Sequence, residues 1–562
     1  MSGNYRPRRR YGRPSGGTGA PGEASGAAAD EAGGTGKRDG GDGATAARRD
    51  TARRANLPRR TAYDVLAAVR GRQAYANLLL PKLLAERRLA GRDAALATEL
   101  AYGTLRGQGT YDAVLAACSD RPLAKLDPPV LDILRLGAHQ LLSTRVGAHA
   151  AVATSVDLAK SVVGPRVSGY VNAVLRRVAT RDLSAWLDIV APGGAAGDDG
   201  YLAVRYSHPP WVVAAYRAAL GGAADAPAGP APEGKTEATA GLAAAGMPDR
   251  REHPDERDDP PSGPGPLTEL AAALAAGNAR PRVTMATFPS GPARQDVMPA
   301  DAEPGRWSPY AFTLASGDPA PLAAAGTAAV QDEGSQLAAI ALSRAPLDIP
   351  AGASRGAGGA ERWLDMCAGP GGKARLLAGL AAGTGASLTA AELHPHRAAL
   401  VADALARVTG PGQPPHEVIV ADGTRPPWPE AAFDRILLDA PCSGLGALRR
   451  RPEARWRKSP DDLKELTALQ RDLLRSALNA VRPGGVVAYV TCSPVPAETG
   501  DVVADLVTSV PGVEVLDAPA VLADVPFAAA ADPRFAQLWP HRHGTDAIFI
   551  ALLRRTAARP RA

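Results

Sequence analysis

Two cysteines stand in short motifs, Cys442 in Asp439-Ala-Pro-Cys-Ser-Gly444 and Cys492 in Thr491-Cys-Ser-Pro494, and each follows an apolar run that reads as a β-strand. A lone cysteine is usually an inert core residue. Two at the ends of adjacent strands place two thiols over one crevice. Upstream, a Gly-rich turn, Asp365-Met-Cys-Ala-Gly-Pro-Gly-Gly-Lys373, also follows a strand and opens a helix. Its residues Cys367, Ala368, Gly369, Pro370, Gly371, Gly372 and Lys373 let backbone N–H groups approach a ligand without Cβ interference. The spacing is neither G-x-G-x-x-G nor that of a Walker A loop, which argues against phosphate binding of either kind. Nineteen residues past Lys373, Glu392 ends the next strand, where a carboxylate can accept from ribose hydroxyls. Asp422 and Asp439 end the third and fourth strands. Any one of these acids reads as a loop carboxylate or a helix cap. Three in register with a Gly-rich turn read as a nucleoside-cofactor site.

A thiol beside such a site has a chemical use. C5 of a pyrimidine is a poor nucleophile, and direct attack on a sulfonium methyl group would be slow. Addition of a thiolate to C6 makes C5 enamine-like. A base then removes the C5 proton after methyl transfer, and elimination frees the enzyme, so that one hard step becomes several easier ones. The attacking thiol must be deprotonated locally. A carboxyl at Asp439 could steady the base at N3/N4 during attack. From the residues alone either thiol could attack.

The elements that must hold these residues follow from periodicity. From Arg362 onward strands (Arg362–Met366, Ser387–Leu393, Glu417–Ala421, Phe433–Leu438, Gly485–Thr491, Ala547–Leu553) alternate with helices (Ala374–Leu380, Pro395–Thr409, Pro460–Val481, Glu498–Val510). That alternation predicts a doubly wound, mostly parallel sheet with ligands at its carboxyl edge. Residues 58–185 carry helical spacing without strand signals and predict an all-α domain. Residues 186–345 read as a linker and small α/β region, with a strand at Pro281–Phe288 and a Pro/Gly/acid-rich, disordered insertion at 222–265. The doubly wound unit is placed at 346–556 and a disordered arm at 1–57.

Composition bounds the function classes. Of the 562 residues 45% are hydrophobic, enough for a sizeable core. The net charge is +6, yet residues 1–60 hold 13 Lys/Arg against 6 Asp/Glu, so the remainder is nearly neutral. A basic arm suits phosphate contact or solubility alike. The four cysteines form no C-x-x-C pair, which argues against structural zinc and a disulfide framework. No apolar run is long enough to span a membrane, no secretory signal is evident, and a cytoplasmic monomer is expected.

The three motifs together resemble the Sun-type (Nol/Nop/Sun) RNA cytosine-C5 methyltransferases. Glu99-Leu-Ala-Tyr-Gly-Thr-Leu-Arg106 and Tyr170-Val-Asn-Ala-Val-Leu-Arg-Arg177 are similar to a NusB-type RNA-binding domain. With Tyr206-Ser-His-Pro and Val330-Gln-Asp-Glu-Gly-Ser-Gln336, the order resembles the bacterial RsmB/Sun subgroup over roughly residues 58–555. The resemblance implies an all-α NusB-like RNA-binding domain at 58–185, a small α/β RNA-binding region within 186–345 and a C-terminal Rossmann-like methyltransferase domain at 346–556. It also implies S-adenosyl-L-methionine as cofactor, held by Cys367–Lys373, Glu392, Asp422 and Asp439, and small-subunit ribosomal RNA as substrate, with transfer RNA or a non-catalytic assembly role as alternatives. It implies Cys492 as nucleophile and Cys442 in product release, and leaves Asp439 on the cofactor side, the base side or both. Family members often carry Glu-Asn after Thr-Cys-Ser. Here Glu498-Thr499 stands instead, leaving Glu498 available and position 499 without a role.

Arg449, Arg450, Arg451, Arg455 and Trp456 follow the Pro-Cys loop. Such a run is commonly a solvated face, but its place and its tryptophan favour RNA contact. His541-Arg-His543 reads as a surface loop rather than a metal pair, and Cys118 as a core residue.

Overall fold

The computed structural model describes residues 56–556, except 73, 193–197, 222–265, 290, 316, 350–359 and 409–415. The expected disordered insertion, and the N-terminal arm up to Ala55, lie outside the described residues.

Eight helices open the described chain: α1 (Leu57–Arg72), α2 (Ala76–Glu86), α3 (Gly91–Arg106), α4 (Gln108–Cys118), α5 (Pro128–Ser143), α6 (Ala148–Val162), α7 (Ser168–Val178) and α8 (Leu183–Val190). The apolar spacing explains them. In α7, Val171, Val174, Leu175 and Val178 lie on one buried face while Arg176 and Arg177 point outward. Asp182 caps α8, its carboxylate accepting from the Ala185 amide at 2.8 Å. The buried faces meet in a core that includes Leu66, Leu100, Leu115, Ile133 and Leu175. Cys118 lies in that core, where burial pushes its thiol pKa up to about 11.

Three helices follow, α9 (Asp199–Arg205), α10 (Pro210–Gly221) and α11 (Pro266–Ala276). A four-stranded antiparallel sheet comes next, built from β1 (Thr284–Ala286), β2 (Glu303–Pro304), β3 (Ala311–Thr313) and β4 (Ala329–Val330) in the order β2-β3-β1-β4. Only β1 falls within a strand expected from the sequence. Its partners are two or three residues long, too short to show alternation.

The rest is one mixed sheet. Strands β5 (Arg362–Asp365), β6 (Ser387–Glu392), β7 (His416–Val420), β8 (Phe433–Asp439) and β9 (Val481–Thr491) run parallel. β10 (Val513–Leu516), β11 (Ala536–Gln537) and β12 (Phe549–Arg555) join antiparallel. The order is β10-β12-β9-β8-β5-β6-β7, with β11 pairing β12. Helices α12 (Glu333–Arg344), α13 (Gly372–Gly383), α14 (Pro395–Leu405), α15 (Pro460–Ala480) and α16 (Gly500–Ser509) accompany it. β5 pairs with both β6 and β8, so the chain reverses direction across the sheet there. A crevice opens at such a switch point, outside the carboxyl ends of the strands. The expected doubly wound class is therefore observed. The antiparallel edge strands β10 and β11 go beyond the sequence reading.

One buried cation joins these parts. Arg455 has no solvent exposure. Its guanidinium donates to the carbonyls of Ser207 (2.9 Å), Gly277 (3.2 Å) and Pro452 (3.1 Å) and to the Asn278 side chain (2.6 Å). Removing it leaves those acceptors unpaired in a buried space, and Arg455→Ala is expected to cost about 3–5 kcal/mol in chemical denaturation. The exposed Arg451→Ala should stay within about 0.5 kcal/mol. An unchanged midpoint for Arg455→Ala would show that the buried guanidinium contributes nothing net.

Candidate active site

The strand ends converge as the periodicity predicts. Glu392 closes β6, Asp439 closes β8, and Asp422 follows β7 by two residues. The Gly-rich turn lies between β5 and α13 and is held by the acid beside it. The Gly369 amide donates to Glu392 Oε2 at 3.1 Å, and the His394 amide to Oε1 at 3.0 Å. Arg397 donates to the Gly369 carbonyl at 2.6 Å. A Cβ at Gly369 would sit 2.2 Å from Glu392 Oε2, so only glycine lets the loop approach this carboxylate.

Lys373 reaches across the crevice. Its Nζ lies 2.8 Å from Asp439 Oδ2 and 3.4 Å from Ser335 Oγ. Burial opposes its charge, but Asp439 outweighs burial and holds its pKa above the ordinary lysine value. Lys373 is therefore an ammonium and not a base at neutral pH. Asp422 is exposed, and its carboxylate accepts from the Thr424 amide (2.9 Å) and hydroxyl (2.7 Å), which hold its pKa low. Asp365 is fully buried, and neither of its oxygens meets a donor in good hydrogen-bond geometry. Burial, reinforced by Asp439, pushes its pKa up to about 8.

The two cysteines are free thiols with their sulfurs 3.3 Å apart. Their surroundings are unequal. A hydrogen bond from the Cys442 S–H lowers the pKa of Cys492, and Lys373 and Arg451 add to the effect. The same bond, burial and the nearby Glu498 charge raise the pKa of Cys442 well above the ordinary thiol value. Cys492 is thus the more readily ionised thiol of the pair, and Cys442 the one that keeps its proton longer. Cys367, in the loop, is pushed up by burial and by Asp365 and has no such activation.

Glu498 is the residue whose importance the sequence did not show. It is fully buried, and one oxygen accepts from the Ser443 amide (2.7 Å) and Gln470 Nε2 (3.2 Å). The other accepts from the Ser443 hydroxyl (2.5 Å) and the Ser493 hydroxyl (2.6 Å). Those serines immediately follow the two cysteines. The repeated Cys-Ser pair was the available signal.

The basic run does not behave as one surface. Arg455 is the buried cation described above, so its expected RNA contact is corrected: its donors are spent on backbone carbonyls and Asn278. Trp456 is half-buried and packs against Gly109 of α4, where a Cβ would lie 2.7 Å from its ring. Arg449 lies 3.5 Å from both Asp332 and Asp546. Arg450 pairs with Asp546 and keeps 37% of its side chain exposed. Arg451 is exposed, its guanidinium 5.3 Å from the Tyr75 ring centroid. Arg449 and Arg450 also line a cleft of about 710 Å³ with Arg280, Arg282 and Arg306, on the side of the small sheet. His541 lies 3.2 Å from Glu269, and His543 Nδ1 accepts from the Trp539 amide; both side chains are largely buried rather than in a surface loop. Among the described residues no cluster of three His, Cys, Asp or Glu could hold a metal ion, and no helix is long and apolar enough to cross a membrane.

Comparison with known proteins agrees with this arrangement. Residues 358–554 match the model of the 16S rRNA methyltransferase RsmB/F family, and residues 56–180 that of the NusB family. The chain is 44% identical over 500 residues to the putative methyltransferase Rv1407 of Mycobacterium tuberculosis (strain ATCC 25618 / H37Rv), covering 88% of this chain and 96% of that one. It is 30% identical over 512 residues to the ribosomal RNA small subunit methyltransferase B of Pseudomonas putida, covering 89% and 99%. The solved structure of PH0851 superposes with a TM-score of 0.65 at 20% identity, over 88% of this chain and 98% of that one, and shares the fold. Fold and site thus define an S-adenosylmethionine-dependent RNA methyltransferase with a NusB-type helical region. The chain belongs to the RsmB/F methyltransferase family.

The residues present fit that cofactor. An uncharged buried carboxyl, a glycine-lined cradle and three strand-end carboxylates make a donor set suited to a cationic nucleoside. The raised pKa of Asp365 has a testable sign. The unfolded chain ionises near the model value of 3.8 and the folded one near 8, so this group costs stability increasingly between those pH values. Asp365→Asn is expected to match the parent in thermal denaturation near the lower limit and to exceed it by several degrees near the upper one. A pH-independent difference would show that Asp365 ionises normally in the folded protein.

Proposed function

We propose that the protein methylates C5 of a cytosine in 16S ribosomal RNA through a covalent bond between Cys492 and C6. The observation that carries this reading is the unequal thiol pair: two sulfurs 3.3 Å apart at the ends of adjacent strands, with the pKa of Cys492 lowered and that of Cys442 raised. The ribosomal substrate follows what is named for the Pseudomonas putida relative and for the family, and points to a cytoplasmic protein, which we take to act as a monomer.

The chain's own residues account for the steps. Lys373 and Arg451 favour the Cys492 thiolate, which adds to C6. Asp439, paired with Lys373, lies between the cofactor loop and the thiols and offers its carboxyl to the base or to the cofactor. Cys367–Lys373, Glu392, Asp422 and Asp439 would hold S-adenosylmethionine, which supplies an electrophilic methyl group when bound. A base takes the C5 proton, the C–H electron pair closes the C5–C6 double bond, and the C6–sulfur bond breaks with its pair returning to Cys492. Cys442, the protonated partner, assists this release. The target base must leave its stack to reach the thiol, and the flanking RNA backbone is placed in the cleft of Arg280, Arg282, Arg306 and Arg450.

Cys492→Ala is expected to abolish both methyl transfer and the denaturation-stable protein–RNA adduct, whereas Cys442→Ala should accumulate that adduct. The opposite pattern would reverse the two roles. Bisulfite sequencing of the RNA product checks the position of the methyl group, and conversion of every cytosine would sink the C5 assignment. In the cleft, Arg306→Ala should raise the KM for RNA and reduce the salt slope of RNA binding by about one. It should leave cofactor affinity alone, and an unchanged salt slope would remove the cleft from the RNA path.

A further inference from the structure

Glu498 bridges the two cysteine loops. It lies in a short helical turn, Pro496–Glu498, directly after the Thr-Cys-Ser loop. Its own backbone is pinned: its amide donates to the Val495 carbonyl at 2.9 Å, and its carbonyl accepts from the Tyr489 hydroxyl at 2.8 Å. A buried carboxylate is costly unless donors surround it, and here four donors converge on it. Three belong to Ser443 and Ser493, the residues that follow Cys442 and Cys492. The fourth, Gln470 Nε2, also donates to the carbonyl of Pro441 at 2.8 Å, the residue before Cys442. The Pro-Cys loop is thus held on both sides of its cysteine by one carboxylate and its glutamine partner. The Thr-Cys loop is held by the same carboxylate. The Ser443 and Ser493 hydroxyls come within 3.2 Å of each other at this point.

We propose that Glu498 is a positioning residue that clamps the two cysteine loops together and so sets the 3.3 Å separation of their sulfurs. The proposal rests on the reading of Cys492 as nucleophile and Cys442 as its protonated partner. Its geometric part is the shared carboxylate. Its electrostatic part is that a fixed negative charge close to Cys442 opposes a second negative charge on that sulfur. Lys373 and Arg451 act on the other sulfur in the opposite sense. Loss of the charge alone therefore weakens the proton bias, and loss of the whole side chain also frees the loops.

Two variants of the full chain separate these effects. Glu498→Gln keeps the shape and removes the charge, and Glu498→Ala removes both. Under limiting iodoacetamide, peptide mass spectrometry of the parent is expected to find the label almost wholly on Cys492. In Glu498→Gln a substantial share should move to Cys442. Steady-state kinetics of Glu498→Gln should show kcat reduced about tenfold with both KM values within about twofold, because the lost interaction acts on the reacting thiols and not on binding. Glu498→Ala should lose about 100-fold, the order expected when reacting groups drift by about an ångström. Cofactor binding reports folding of each variant. Should Glu498→Ala fail to fold, the glutamine variant decides. Parent-like labelling and kcat in Glu498→Gln would overturn the proposal. Labelling is read without RNA or methyl transfer, so it tests Glu498 even if Cys492→Ala shows that the covalent mechanism itself is wrong.

Discussion

A guanidinium with no access to water must have its donors met by the protein, and satisfying Arg455 constrains three stretches of chain at once. The carbonyls of Ser207 and Gly277, the Asn278 side chain and the carbonyl of Pro452 all turn toward it. Ser207 in turn accepts from the Gly109 amide of α4 at 2.9 Å. Glu453, two residues before Arg455, accepts from the Ala76 amide at the start of α2. Arg457, two residues after it, donates to the carbonyl of Ala74. The segment leaving the Pro-Cys loop is thereby fastened to both the helical region and α9–α11. Leaving such a charge unpaired would cost several kcal/mol, so these parts hold one arrangement.

That arrangement reaches the thiols. Leu445 and Val495, just beyond the two cysteine loops, pack in one apolar cluster with Val213, Tyr216, Leu274 and Trp539. The Tyr216 hydroxyl donates to the Leu445 carbonyl at 2.7 Å. The middle helices thus support the loops from behind while Glu498 joins them from within. On the opposite side, the Val330–Gln336 segment connects the small sheet to the cofactor loop. Glu333 accepts from the amides of Trp307 and Ser308, and Ser335 lies 3.4 Å from Lys373. A site made of strand-end loops gains precision when separate packed elements restrain each loop.

Much of this was legible in the chain. The strand–helix alternation from Arg362, the strand-end positions of Glu392, Asp422 and Asp439, and the crevice shared by Cys442 and Cys492 all follow from periodicities longer than a few residues. Short elements were not legible. Strands β2, β3, β4 and β11 have two or three residues each, and long-range pairing, not local pattern, makes them strands. The basic run misled for a related reason. A string of arginines looks the same in sequence whether it faces solvent or is enclosed, and here Arg455 is enclosed while Arg451 is exposed.

By itself the sequence determined which chemistry was available: a glycine turn that only small residues can make, acids in register at strand ends, and two thiols on neighbouring strands. These are consequences of local geometry, since a strand end and a tight turn depend on residues close in the chain. The tertiary structure alone decided which thiol ionises more readily and what holds the pair. Lys373, Arg451 and Glu498 come from separate segments of the chain, and the field at each sulfur depends on distances set only when the sheet has closed and the helices have packed. Electrostatic bias falls with distance through space rather than along the chain, so no spacing in the sequence could have ordered the two cysteines.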